Sequence, residues 1–164
     1  MTGMLFSRGA PGTLYLSPAA MATLNSYRQV EPDSREAGGV LLGRHLIDCD
    51  DLIVDEATTP GAYDRRFWAS FFRSRTHQKW AQKRWKEHHQ KSAYLGSWHT
   101  HPESDPHPSS TDLADWRQAL SKDRYEGESL YFAIVGIDRL RMWRGTRGEI
   151  SELNLIRTHK HAET

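Results

Sequence analysis

The 164 residues predict an α/β fold, a single domain over residues 1–164 in which a mixed β-sheet is sandwiched by helices. Three observations carry this expectation. The length is that of one domain able to bury a core without staples. Strand-like and helix-like stretches alternate through the first two thirds of the chain. The last third is a run of adjacent strand signals with tight turns, which requires antiparallel pairing beside whatever parallel pairs the helices connect.

The elements follow in order. Thr13 to Leu16 reads as a short strand. Ser17-Pro18 supplies an N-cap with proline at the first helical position, opening a helix to about Val30. Ala37 to Leu46 and Leu52 to Ala57 read as strands around the Asp-rich turn Asp48 to Asp51. Ser74 to Gln90 has the length and few breakers of a helix, with His77, His88 and His89 as its polar positions. A strand from Tyr94 to His99 precedes a helix from Ser110 to Leu120. Leu130 to Ile137, Leu140 to Arg144 and Gly148 to Ile156 close the sheet, with turns near Asp138 and between Gly145 and Gly148.

Composition bounds the rest. The single cysteine, Cys49, excludes an internal disulfide and reads as a turn thiol in a reducing compartment. No apolar run approaches the ~18 residues of a spanning helix, and the N-terminus has no signal-peptide pattern. A cytoplasmic location is therefore expected. Net charge is +1 but unevenly placed, because residues 65–91 hold nine Lys or Arg against one acid, Glu87, leaving −7 for the remainder. Phe67, Trp68, Phe71, Phe72, Trp80 and Trp85 interleave with those cations. Such a stripe suits phosphates and bases, an acidic protein partner, or simply a helix with buried rings and solvated charges.

The chemistry is concentrated in Gly96-Ser97-Trp98-His99-Thr100-His101-Pro102 and Pro108-Ser109-Ser110-Thr111-Asp112, which together spell His-x-His-x7-Ser-x2-Asp. Residues two apart on a strand share a face, so His99 and His101 can approach one metal ion from a strand end. Asp112 would arrive from the first helical turn, where the helix dipole favours a carboxylate. Two imidazoles and a carboxylate are a catalytic zinc set, three protein ligands with the fourth position open. Ser109 or Ser110 is the N-cap. Pro102, Pro106 and Pro108 stiffen the loop between, in which His107 reads as a solvated residue. Taken alone, the histidine pair could be ordinary strand residues and the serines only a cap. That reading leaves the prolines, serine and aspartate without a common cause.

Other zinc chemistries fail on their ligands. A nucleobase deaminase needs a Pro-Cys-x-x-Cys pair, and the chain has one cysteine. A zincin needs His-Glu-x-x-His, and Glu87-His88-His89 has the wrong order.

The composite pattern resembles the JAMM metalloprotease family, also called MPN-plus or JAB, whose signature is an upstream glutamate, His-Ser/Thr-His-Pro and Ser-x-x-Asp. The upstream residue is then Glu36, in Arg35-Glu36-Ala37-Gly38-Gly39-Val40-Leu41-Leu42-Gly43. Without the distant motif, Glu36 would read as a solvated charge before a buried strand, and Gly38 and Gly39 allow close backbone packing in either case. The resemblance spans roughly residues 13 to 150 and implies one zinc ion per chain. It makes Glu36 the general base that passes a proton from water to the leaving amine, and Ser109 a hydrogen-bond donor to the developing oxyanion, a role worth about 3 kcal/mol in comparable sites.

Arg65-Arg66-Phe67-Trp68, Phe71-Phe72-Arg73-Ser74, His77-Gln78 and Trp98 to Glu103 are similar to the JAB proteins of bacterial CBASS anti-phage operons. That resemblance implies an isopeptidase that cuts the amide bond after the C-terminal tail of a conjugated nucleotidyltransferase. The expected partner is this protein or another ubiquitin-like tail, with neither membrane nor nucleic acid expected. Processing of ubiquitin-like or sulfur-carrier precursors is the alternative within enzymes. A non-catalytic MPN scaffold is the alternative outside them, although a scaffold has no chemical need for Glu36, His99, His101, Ser109 and Asp112 together.

Overall fold

The computed structural model describes residues 2–9, 11–60, 65–66, 71–72 and 92–160. Strands β1 (Thr2–Ser7) and β2 (Thr13–Leu16) precede helix α1 (Pro18–Ser26). Then come β3 (Gly38–His45), β4 (Leu52–Ala57), the short pair β5 (Arg65–Arg66) and β6 (Phe71–Phe72), and β7 (Ala93–Thr100). Helix α2 (Ser110–Lys122) leads into β8 (Leu130–Val135), β9 (Leu140–Gly145), β10 (Ile150–Glu152) and β11 (Asn154–Lys160). The helix expected over Ser74 to Gln90, and most of the basic aromatic stretch, lie outside the described residues.

Nine strands form one mixed sheet in the order β10-β9-β8-β7-β3-β4-β2-β1-β11, with β2–β4 and β7–β8 parallel and the other pairs antiparallel. The two described helices cover opposite faces. Ala20, Met21 and Leu24 of α1 pack with Leu14, Leu16, Tyr131, Ala133 and Val135. Trp116 and Leu120 of α2 pack with Leu130, Phe132 and Ile134. Alternate residues of β8 thus feed the two cores, as a strand's period of two dictates, and the expected sandwich of helices about a mixed sheet is what the chain forms.

Local chemistry sets several boundaries. The Ser17 side chain accepts the Ala20 N–H at 3.1 Å, with Pro18 opening α1 as its fixed φ allows. The helix stops at Ser26, short of the expected Val30. Its chain turns at Tyr27, and the Arg28 guanidinium leaves to donate to the Gly136 and Ile137 carbonyls at 2.6 and 3.2 Å. Gly96, at φ 148° in β7, has no room for a side chain, since a Cβ there would lie 1.6 Å from the Tyr131 carbonyl oxygen. It sits where the β3–β7 register shifts.

The strand expected over Gly148 to Ile156 is instead two strands that break at buried Leu153. β10 adds to β9 at one end of the strand order, and β11 adds to β1 at the other. Only Leu153 separates them, and its N–H donates to the Met142 carbonyl at 2.8 Å. One residue spans at most about 7 Å between its neighbours, so the sheet curls until its two ends meet at this corner. Strand β1 had no clear signal in the sequence, because Gly-Met-Leu-Phe is too short and unpatterned to stand apart from a disordered terminus.

Candidate functional site

The site lies where β3 and β7 pair and α2 begins. Gly38 of β3 is in register with His99 of β7, which brings the chain just before β3 beside the histidine pair. Thr100, fully buried between the two histidines in sequence, completes the join. Its hydroxyl accepts the Ala37 N–H at 2.9 Å and its own N–H donates to the Ala37 carbonyl at 2.9 Å. Ala37 is thereby clamped, and with it the backbone that carries Glu36. Gly39 next to it could not be larger, since a Cβ would lie 2.4 Å from the Thr58 carbonyl oxygen, which also accepts the Trp98 indole N–H at 3.0 Å. The close packing expected of this glycine pair is met at Gly39.

His99 and His101 present their rings to the same side, with the two Nε2 atoms 3.0 Å apart. Asp112 straddles them, its Oδ1 3.2 Å from His99 Nε2 and its Oδ2 3.0 Å from His101 Nε2. All three side chains are largely shielded, at 10 to 14% exposure. Ligands of a four-coordinate zinc at bond lengths of about 2.0–2.1 Å are roughly 3.3 Å apart. The three donors are therefore spaced as one small ion would hold them. A further test is the state of the second ring nitrogen. His101 Nδ1 is 2.8 Å from a Glu103 carboxylate oxygen, an outer acceptor that leaves Nε2, the nitrogen turned to Asp112 and His99, as the one that faces an ion.

Asp112 is the third residue of α2 and Ser109 is its N-cap, so the choice between Ser109 and Ser110 falls to Ser109. They form a reciprocal capping box, in which the Asp112 N–H donates to Ser109 Oγ at 3.1 Å and the Ser109 N–H donates to Asp112 Oδ2 at 2.8 Å. Burial alone would raise the Asp112 carboxyl. Hydrogen bonds with His101 and His99 and from the Ser109 backbone hold it instead well below the usual carboxylate range. The same bonds to Asp112, with Glu103 added, outweigh burial at His101 and raise its imidazolium above the ordinary value.

Glu36 behaves in the opposite way. It is 4% exposed, and one of its carboxylate oxygens lies within 4.8 Å of ligand nitrogens of both histidines. Burial pushes its carboxyl from an ordinary 4.5 up to about 8, with His101 lowering it and Asp112 adding to the rise. Two carboxylates at one site are thus driven apart, one ionised and suited to a cation, the other a proton carrier near neutral pH. Glu36 with the two histidines is also a possible ligand group. Asp112 suits that role because it stays charged with its oxygens 3.0 and 3.2 Å from the Nε2 atoms.

A cleft of about 360 Å³ opens over Glu36, Gly39, Ser97, His99 and Asp112 and runs beside α2 toward Lys122. Glu36, His99 and Asp112 line it, and His101 and Ser109 each contact Asp112, so the five residues singled out in the sequence fall in one region. His107 is exposed and bonded to the Asp105 carbonyl at 3.0 Å, apart from the donor triangle. Cys49 is exposed, with its thiol 3.4 Å from Asp51. Sequence reasoning missed Thr100 and Glu103. Thr100 could have been read from strand alternation, which turns it away from the histidines, whereas Glu103 follows the strand in a loop and has no periodic signal.

Comparison with known proteins gives a consistent picture. The family of prokaryotic homologs of the JAB domain matches residues 19–146. A "CD-NTase/cGAS isopeptidase" of Vibrio cholerae is 37% identical over 149 residues, 86% of this chain and 83% of that protein. One of the same description from Pseudomonas aeruginosa is 34% identical over 128 residues, 77% of this chain and 79% of its own. An Escherichia coli protein so described is 34% identical over 76% of this chain and 75% of its own. The solution structure of protein DSY2949 from Desulfitobacterium hafniense shares the fold, with a TM-score of 0.59 at 24% identity over 84% of this chain and 87% of that one. The matched span contains Glu36, His99, His101, Ser109 and Asp112, and the chain belongs to the prokaryotic JAB-domain family.

Proposed function

We propose that this protein is a zinc-dependent isopeptidase of CBASS anti-phage defence, hydrolysing the amide bond after the C-terminal tail of a conjugated CD-NTase. Residues 1–164 act as one JAMM-type domain, and its place of action is the cytoplasm. The relatives carrying the isopeptidase description support the substrate class. The single observation that carries the chemistry is the triangle of His99, His101 and Asp112, with donor atoms 3.0 to 3.2 Å apart and Glu36 alongside.

His99, His101 and Asp112 would hold one zinc ion, which when bound polarises a carbonyl and lowers the pKa of water to about 7. Glu36 takes the proton from the attacking water and delivers it to the leaving amine, a shuttle for which a carboxyl pushed up to about 8 is well matched. Ser109 has its oxygen lone pair engaged by the Asp112 N–H, which leaves its hydroxyl hydrogen to donate. That hydrogen goes to the carbonyl oxygen as negative charge develops on it, from an exposed residue that caps the helix carrying Asp112. The substrate tail lies extended in the cleft beside α2.

Incubation with a CD-NTase fused through its C-terminus to a test protein should release the test protein, and Glu36→Ala should abolish release while zinc content stays near one per chain. Cleavage only of ubiquitin-like or sulfur-carrier precursors would transfer the function to precursor processing. No zinc uptake and no cleavage would leave a scaffold.

A further inference from the structure

The loop from Pro102 to Pro108 is built as a frame rather than a lid. The Ile137 N–H donates to the Glu103 carbonyl at 2.7 Å, and the Asp138 and Arg139 N–H groups donate to the Ser104 carbonyl at 3.2 and 3.1 Å. Arg141 of β9 grips Asp105 through two bonds of 2.6 and 2.7 Å. Pro106 is buried, and a Cβ on Gly136 would lie 2.6 Å from both the Glu103 carbonyl oxygen and Pro106 Cδ. From the other side, Arg28 holds the Gly136 carbonyl at 2.6 Å. The backbone of Glu103 is therefore fixed by the β8–β9 turn, while its half-exposed carboxylate reaches back 2.8 Å to His101 Nδ1.

We propose that Glu103 is a positioning residue of the zinc site, which holds His101 in the tautomer and ring orientation that present Nε2 to the metal. Histidine in water favours the opposite tautomer, with the proton on Nε2, where it blocks ligation. A carboxylate on Nδ1 reverses that preference and makes the ligand nitrogen more basic. The loop's contribution falls on His101, the ligand that sits just beyond the end of β7. The inference rests on the zinc reading above only for its functional consequence, since the tautomer is a property of the metal-free protein.

The test compares wild type with Glu103→Ala and Glu103→Gln. Ring ¹⁵N shifts of His101 in the metal-free protein at alkaline pH should move toward the Nε2–H form in Glu103→Ala relative to wild type, in which Glu103 on Nδ1 competes with Asp112 on Nε2. Glu103→Gln, whose amide oxygen can still accept, should stay close to wild type. Competition with a chelator should show zinc affinity falling about 10- to 100-fold in Glu103→Ala, as for comparable outer partners, and by much less in Glu103→Gln. Unchanged ring shifts in Glu103→Ala would overturn the proposal, whatever zinc does. A shifted tautomer in a protein that takes up no zinc would instead uphold the positioning and remove the metal reading. Because the Glu103 side chain is half exposed, both variants should melt with wild type, which a merely structural role would not predict for the affinity.

Discussion

Glu36 is a buried carboxyl whose proton affinity is set by its surroundings. Its folded-state pKa of about 8 lies above its ordinary 4.5, so the folded protein keeps a proton that the unfolded chain releases. By linkage, its contribution favours folding fully below about 4.5 and is lost as pH rises through about 8. Metal-free wild type should therefore lose stability over that interval, and Glu36→Gln should not. The gap should reach on the order of 5 kcal/mol at alkaline pH, read from urea midpoints at each pH. Parallel pH profiles for the two proteins would remove burial as the cause. Thr100 makes a second expectation at this scale. Thr100→Val keeps the shape but leaves the Ala37 N–H buried without its acceptor, a loss of about 1–3 kcal/mol. Because that bond holds the Glu36 backbone and not the histidine rings, turnover should fall several-fold while zinc affinity measured by chelator competition changes little.

At the scale of elements, the site is a meeting of three ends. A strand end supplies the histidines, a neighbouring strand's approach supplies Glu36, and a helix N-terminus supplies Asp112, kept ionised by its bonds with His101, His99 and the Ser109 backbone. The strand that carries the histidines is anchored by pairing with β8, and that pairing depends on Gly96. Gly96→Ala would put a Cβ into the Tyr131 carbonyl in a backbone conformation that alanine rarely adopts. It should cost more than about 4 kcal/mol, in the range of disrupted special backbone positions. The expected outcome is a protein that is insoluble or melts far below wild type, while a well-folded variant would show that the strand pair can shift.

Across the whole molecule, the donor triangle joins β7 to α2, and Glu36 joins β3 to both. An ion held there would tie the sheet to one of its covering helices across a span also held by the Tyr94–Asp123 hydrogen bond and by apolar contacts such as Trp116 stacked on Phe132 at 4.7 Å. Because the unfolded chain has no such preformed set, zinc at a hundred times its dissociation constant should raise stability by about 2.7 kcal/mol. A chelator should lower the melting temperature correspondingly, and His101→Ala should abolish the difference between the zinc-loaded and chelated protein. Equal melting with and without zinc would count against a preformed site.

The sequence by itself determined what depends on neighbours in the chain. The His-x-His pair projects to one side because strands repeat every two residues. Ser109 and Asp112 cap a helix because residues three apart meet in its first turn, and Ser17-Pro18 starts another for the same kind of reason. Glu36 was legible only through resemblance, since nothing in residues 35–43 says which distant strand they will pair with. Tertiary structure decided the rest. Partner choice among strands is non-local, so the split of residues 148–156 into two strands at opposite ends of the sheet order could not be read from their pattern. The raised carboxyl of Glu36, the clamp by Thr100 and the reach of Glu103 to His101 are likewise consequences of burial and contact. A pKa and a tautomer belong to an environment, and that environment exists only once the β3–β7 register and the β8–β9 turn have formed around them.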